Sequence, residues 1–254
     1  MPKVTFRGRV IPEVSEITLH SRPALRWQDD GANYWMEFYL EIKCSEITVD
    51  CIVDEFDRAV HFDAIHKRAS DIAATTVNLI AFAKGLGVTI VLDTFTDPAG
   101  ETTQLLLRDR PLGELATAVM TEEPNFSEVL NLVLQQPKLY NALRDLIHAI
   151  RVSSEIPASC GSAVEAVRAL MVPKSSNRKK SWSLMQTGLN LDAAYLKLIT
   201  DQSVGPRHGD HQYVLGTMTR EIATRSWTVM NRFLEYLKRG RAALPPDEFP
   251  LLKG

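Results

Sequence analysis

Residues 34–53, YWMEFYLEIKCSEITVDCIV, repeat their apolar positions every second residue. A helix would scatter such a pattern around its whole circumference, whereas an extended strand gathers it onto one face. Tyr34, Met36, Phe38, Leu40 and Ile42 therefore share a face opposite Trp35, Glu37, Tyr39, Glu41 and Lys43. Ile47, Val49, Cys51 and Val53 do the same in the next stretch, which predicts a hairpin turning through Cys44 and Ser45. Two further strands are expected at 4–10 and 24–28, bounded by Pro12, Pro23 and the turn-forming Asp29-Asp30-Gly31.

The period then changes. Phe62, Ile65, Ala69, Ile72, Thr76, Ile80 and Ala83 recur every three or four residues, which predicts a helix over 61–84 that stops at Gly85 and Gly87. Strands are expected again at 88–95 and 102–109, joined by the Asp97-Pro-Ala-Gly100 turn. Strands, one helix and more strands describe an α+β domain over 1–111, an antiparallel sheet with one covering helix.

After Pro111 only helical spacing remains, at 112–122, 127–151, 157–172, 178–188, 192–203 and 213–239. Pro137 either starts a helix or kinks a continuous one. Short connections between helices imply antiparallel neighbours, so 112–241 is expected to be an all-α helical bundle, followed by a tail over 242–254. In the last helix Met218, Ile222, Val229, Phe233 and Leu237 form the expected buried stripe, with Arg220, Arg225, Arg232, Lys238 and Arg239 at polar positions.

Composition excludes some functions and leaves others open. A formal charge of -2 and a pI near 6.3 give no global field for nucleic acid, so any such binding must rest on a local basic patch. Cys44, Cys51 and Cys160 lack the paired spacing of a zinc site and read as small buried thiols in a reducing compartment. The N-terminus has no signal-like apolar core and no run approaches a membrane span, which gives a cytoplasmic expectation. Gly85-Leu86-Gly87 matches neither phosphate-binding glycine pattern, and no cofactor is expected.

The stretch Gly205 to Tyr213, GPRHGDHQY, crowds Arg207, His208, Asp210 and His211 together ahead of the final helix. Three readings compete for it. Asp210 can cap the helix. His208, Asp210 and His211 can supply metal ligands, although HxxH lacks the spacing of a helical zinc site and nothing nearby completes the set, so no metal is expected. Arg207 with His211 or His208 can serve phosphodiester chemistry, the guanidinium holding phosphate while a histidine moves protons near neutral pH. An RNA substrate supplies its own 2′-hydroxyl nucleophile, so that chemistry needs no metal.

A second basic stretch, PKSSNRKKSW over 173–182, offers Lys174, Arg178, Lys179 and Lys180 to a phosphate backbone and Trp182 to a base, or else is a solvated loop whose tryptophan packs in the bundle. With SAVEAVRAL (162–170) before it and GPRHGD after it, about 125–239 resembles the HEPN superfamily of helical, often dimeric domains, many of them RNases of defence and toxin–antitoxin systems. The resemblance implies RNA binding, with metal-independent cleavage by Arg207 and His211 or His208 and with Glu165 as a polar partner. It also implies a homodimer through the helical domain, a protein partner such as an antitoxin, or a non-catalytic interaction role. Three residues separate Arg207 from His211 where the family pattern has four to six.

Overall fold

The computed structural model describes residues 1–13, 17–19, 24–29, 34–105, 110–119, 124–152, 155–172, 177–207 and 216–254. The chain divides into two compact units, 1–107 and 108–254. It is an α+β protein, with an antiparallel sheet in the first unit and a run of helices in the second.

In the first unit β1 (Lys3–Ile11), β2 (Ala24–Asp29), β3 (Tyr34–Lys43), β4 (Glu46–Val53), β5 (Thr89–Thr96) and β6 (Thr102–Gln104) form one sheet in the order β2-β3-β4-β1-β5-β6. The expected last strand over 102–109 is thus short, and 106–109 lie outside the described residues. Alternation holds on the three central strands: Val4, Phe6 and Val10, Phe38, Leu40 and Ile42, and Ile47, Val49, Cys51 and Val53 are buried. The turn passes through Cys44 (φ 49°) and Ser45 (φ 66°), a left-handed pair that matches strand twist but strains residues other than glycine. It is held because buried Ser45 donates its N–H to the Ile17 carbonyl and accepts the Val10 N–H. Cys44 is exposed there, so only Cys51 and Cys160 are the buried thiols expected, each pushed up to about 12 by burial.

Helix α1 (Arg58–Lys84) covers the apolar face of the sheet and is capped by Asp57, whose carboxylate accepts the Ala59 N–H. Its buried line is His61, Ile65, Ala69, Ala73, Val77 and Ala81, not the predicted Phe62-to-Ala83 stripe, of which only Ile65 and Ala69 are buried. A spacing of four advances about 40° per step along a helix of 3.6 residues per turn, so the contact line winds around α1 as it follows a twisted sheet.

Between β1 and β5 the register shifts at Arg7/Gly8: Arg7 faces Thr94 while Gly8 faces Leu92, so Asp93 is the extra residue of a β-bulge. The strands approach so closely there that a Cβ on Gly8 would lie 1.9 Å from the Val91 carbonyl oxygen.

His66 sits in the aromatic part of this core, stacked on Phe62 (5.6 Å, 8°) and 5.5 Å from Phe6. Its buried Nε2 has no hydrogen-bond partner among the described residues. Burial holds its pKa below the ordinary value, opposed by the nearby Asp63 carboxylate. The folded protein therefore keeps His66 neutral where the unfolded chain takes up a proton, and stability falls as pH drops from about 6.5 through the folded value. The variant His66→Phe is expected to remove this dependence, flattening the slope of unfolding free energy below pH 6.5 by up to about 1.4 kcal/mol per pH unit in urea titrations.

The second unit contains α2 (Arg110–Glu114), α3 (Asn125–Leu134), α4 (Pro137–Arg151), α5 (Ile156–Met171), α6 (Arg178–Leu189), α7 (Ala193–Arg207) and α8 (Gly216–Lys238). Of the helix expected over 112–122, α2 takes in only the start, with 115–119 outside any helix and 120–122 outside the described residues, and Pro137 starts α4 as a separate helix from α3. Helix α5 is the centre of the bundle, packed against α4, α7 and α8. Small residues permit this: Ser159, Cys160, Gly161 and Ala163 are all buried, and a Cβ on Gly161 would lie 2.2 Å from that of Ser203 on α7.

Arg232, expected at a polar position of α8, is 6% exposed. It donates to the carbonyls of Leu189, Asn190 and Pro250, each at 2.8 Å, and desolvation lowers its pKa. Asn190, left-handed at the end of α6, donates to the carbonyls of Leu244 and Phe249. The tail over 242–254 is accordingly part of the second unit's packing, with Leu244 buried and Leu252 bridging Leu191.

Candidate nucleic-acid interface

The basic stretch and the acidic residue of α5 meet at the start of α6. Glu165 accepts from Arg168 Nε through Oε2 (2.7 Å) and from Arg178 Nη2 through Oε1 (2.5 Å). Arg168, three residues along α5, also donates to Ser181 Oγ at 2.5 Å. Ser181 in turn donates to the Arg178 carbonyl, one of the bonds of the first turn of α6. Asn177 caps that turn, its side chain accepting the Lys180 N–H at 3.0 Å.

The electrostatics differ across this cluster. Glu165 and Arg168 are each 17% exposed at the side chain, so their pair is partly desolvated, whereas Arg178 is 68% exposed. Lys179 and Lys180 are exposed, and no side-chain partner is found for either among the described residues. Between Ala166 and Leu191 the chain carries five Lys and Arg and no carboxylate. This local surplus belongs to a wider division: 108–254 has 19 Lys and Arg against 15 Asp and Glu, a formal +4, and 1–107 has 10 against 16, a formal -6. The overall charge of -2 conceals a cationic second unit.

The structure brings Glu165, Arg178 and Trp182 together, through Arg168. Of the two readings for Trp182 it matches packing in the bundle and not open base stacking: the indole is half-buried against the bundle core, and the Arg168 guanidinium lies 5.6 Å from its ring centroid. Arg168 was not among the expected residues, although its i,i+3 spacing from Glu165 is a readable signal for a shared helix face. Lys174 lies outside the described residues.

The Arg/His stretch is placed only in part. Helix α7 continues through Gly205 and Pro206 and ends on Arg207, while α8 begins at Gly216. Arg207 is thus the last residue of one helix and does not open the next, and a helix C-terminus favours a cation through the dipole without any ligand. His208, Asp210 and His211 lie outside the described residues, as does the Arg207 side chain. Glu165, expected as their polar partner, is engaged by Arg168 and Arg178. Among the described residues no group of three His, Cys, Asp or Glu could hold a metal ion, and no helix is long and apolar enough to cross a membrane.

Residues 4–106 match the family model described as the N-terminal domain of a domain of unknown function (DUF8168), and residues 126–238 match that of its C-terminal domain. The two matches together take in most of the chain, which belongs to this family. No curated protein and no solved structure matches it.

The cluster separates a structural carboxylate from an exposed cation. Glu165→Gln is expected to lower stability by about 1–3 kcal/mol, because it leaves the partly buried Arg168 without its ion pair. Arg178→Ala should cost less than about 1 kcal/mol, since its side chain is largely in water. Urea denaturation of both variants checks the contrast.

Proposed function

We propose that this member of the DUF8168 family binds RNA through the cationic surface at the α5–α6 junction, with Arg178, Lys179 and Lys180 contacting phosphates. The observation that carries the reading is a run of cations without carboxylates, projected from a capped helix turn and set in a unit of net positive charge. Three exposed cations in consecutive positions suit a flexible single strand, whose phosphates can follow the turn. Glu165 acts from beneath, fixing Arg168 and Arg178 without cancelling Lys179 and Lys180. The resemblance to HEPN domains supports RNA over DNA and supplies the chemistry: Arg207 holds the scissile phosphate, and His211 or His208 moves the proton of the 2′-hydroxyl.

Fluorescence anisotropy with a labelled single-stranded RNA, repeated over a salt series, tests the binding. The variant Arg178→Ala/Lys179→Ala/Lys180→Ala should weaken binding at least about tenfold at low salt and reduce the slope of log affinity against log salt by about 2. Unchanged affinity and slope would remove this surface from consideration.

Cleavage is read separately, by following the same RNA in EDTA with wild type, Arg207→Ala and His211→Ala. Wild type should cut, with each variant slowed about 100-fold or more. Binding without cutting in any of the three reduces the function to RNA binding.

A second reading, a non-catalytic dimer or partner-binding module, is favoured by α3. That helix buries Val129 and Val133 yet leaves Phe126, Leu130 and Leu134 between 40% and 64% exposed at a spacing of four. Light scattering of the RNA-free protein distinguishes a dimer from a monomer.

A further inference from the structure

The bulge between β1 and β5 has a chemical result on the sheet face opposite α1. On that face Arg7 stands in the middle of β1, with Thr48 of β4 on one side and Thr94 of β5 on the other, both in direct register. Adjacent strands lie about 4.8 Å apart, so the three side chains form a row across the sheet. No hydrogen-bond or ion-pair partner is found for any of the three among the described residues, and Arg7 is exposed.

The surroundings set this row apart from an ordinary solvated sheet face. Lys3 pairs with Asp50 and Arg26 with Glu37, so other cations of the same sheet have carboxylates at hand. Asp93 would be the natural partner for Arg7, but the bulge takes it out of register and turns its carboxylate to Arg9 Nη1 at 3.2 Å. Arg9 also holds Glu13 at 3.1 Å and is doubly compensated. Arg7 is left facing hydroxyls. A cleft of about 720 Å³ lies over it, with Thr48, Thr94, Thr96 and Thr102 in its lining and Glu13, Glu46 and Asp93 among its acidic groups.

We propose that Thr94, Arg7 and Thr48 form a receptor for a single oxyanion, a phosphate monoester or a carboxylate, carried by a small ligand. The guanidinium offers a planar pair of donors that matches either group, and a hydroxyl on each side adds one more donor. The acidic lining and the -6 charge of this unit oppose a polyanion such as RNA, so this site is separate from the surface at the α5–α6 junction and does not rest on that reading. Glu46 has no partner among the described residues and lies two positions from Thr48 along β4, about 7 Å away. It favours a ligand that carries a cationic or donor group beside its oxyanion.

The test is a titration of inorganic phosphate, and separately of acetate, into the full-length chain carrying Arg178→Ala/Lys179→Ala/Lys180→Ala, followed by the NMR signal of the Arg7 Nε–H. A saturable shift with phosphate assigns a phosphoryl ligand, and one with acetate a carboxylate. Arg7→Ala should weaken the binding, read by calorimetry, at least about tenfold. Arg7→Lys, which keeps the charge and the fold but loses the fork, should weaken it less. Glu46→Gln should tighten it. Absence of a saturable shift for both anions, or affinity unaffected by both Arg7 variants, overturns the proposal.

Discussion

The first unit depends on keeping one face of its antiparallel sheet dry while the other stays wet. Phe6, Phe38, Leu40, Val49 and Cys51 all reach the same side because the three central strands hold their register, and that side is closed by α1. A one-residue slip would send this whole set into water and bring Arg7, Thr48 and Glu41 into the core. The register is secured at two places along β1. Near its end Ser45 ties the β3–β4 turn to Val10 and Ile17; in its middle the bulge at Asp93 lets β5 follow β1 as the sheet twists.

The second unit meets a different constraint, the burial of backbone carbonyls where helices end and the chain folds back. Arg232 meets it with three donated hydrogen bonds from one buried guanidinium, and Asn190 adds two from its amide. Arg232 thereby joins the end of α6 to Pro250, and Asn190 ties the same end to Leu244 and Phe249. The close α5–α7 approach at Gly161 and Ser203 allows α5 to be buried on nearly every side, leaving Glu165 and Arg168 at its half-exposed edge.

Charge divides along the same boundary as architecture. The sheet unit is anionic and pairs Lys3, Arg9 and Arg26 with carboxylates, and the bulge that turns Asp93 to Arg9 takes that carboxylate away from Arg7. The helical unit is cationic and carries Arg178, Lys179 and Lys180 in the first turn of α6, where Glu165 organises the arginines and the lysines are exposed. The two proposed anion sites differ in size accordingly, one suited to a chain of phosphates and one to a single group.

Periodicity in the sequence was sufficient for the fold class, because a period of two and a period near 3.6 demand different backbones whatever surrounds them. It also found the turn at Cys44-Ser45, the separate strands of the first unit and the basic patch on which Arg178, Lys179 and Lys180 lie. It did not find which face of α1 is buried, since a helix crossing a twisted sheet changes its contact line along its length. It assigned Arg232 to a polar position, since a guanidinium is buried only where backbone carbonyls from distant segments converge on it. The end of α7 was missed because Gly205 and Pro206 are local stop signals that the helix passes through. Packing of Trp182 in the bundle is one of the two readings the sequence offers, but its Arg168 partner and the isolation of Arg7 were out of reach: one depends on an arginine from another helix, the other on a register shift between strands more than 80 residues apart. Local pattern determined the elements and their faces; the pairing of charges, donors and carbonyls was decided only when tertiary structure brought sequence-distant groups within a few ångströms.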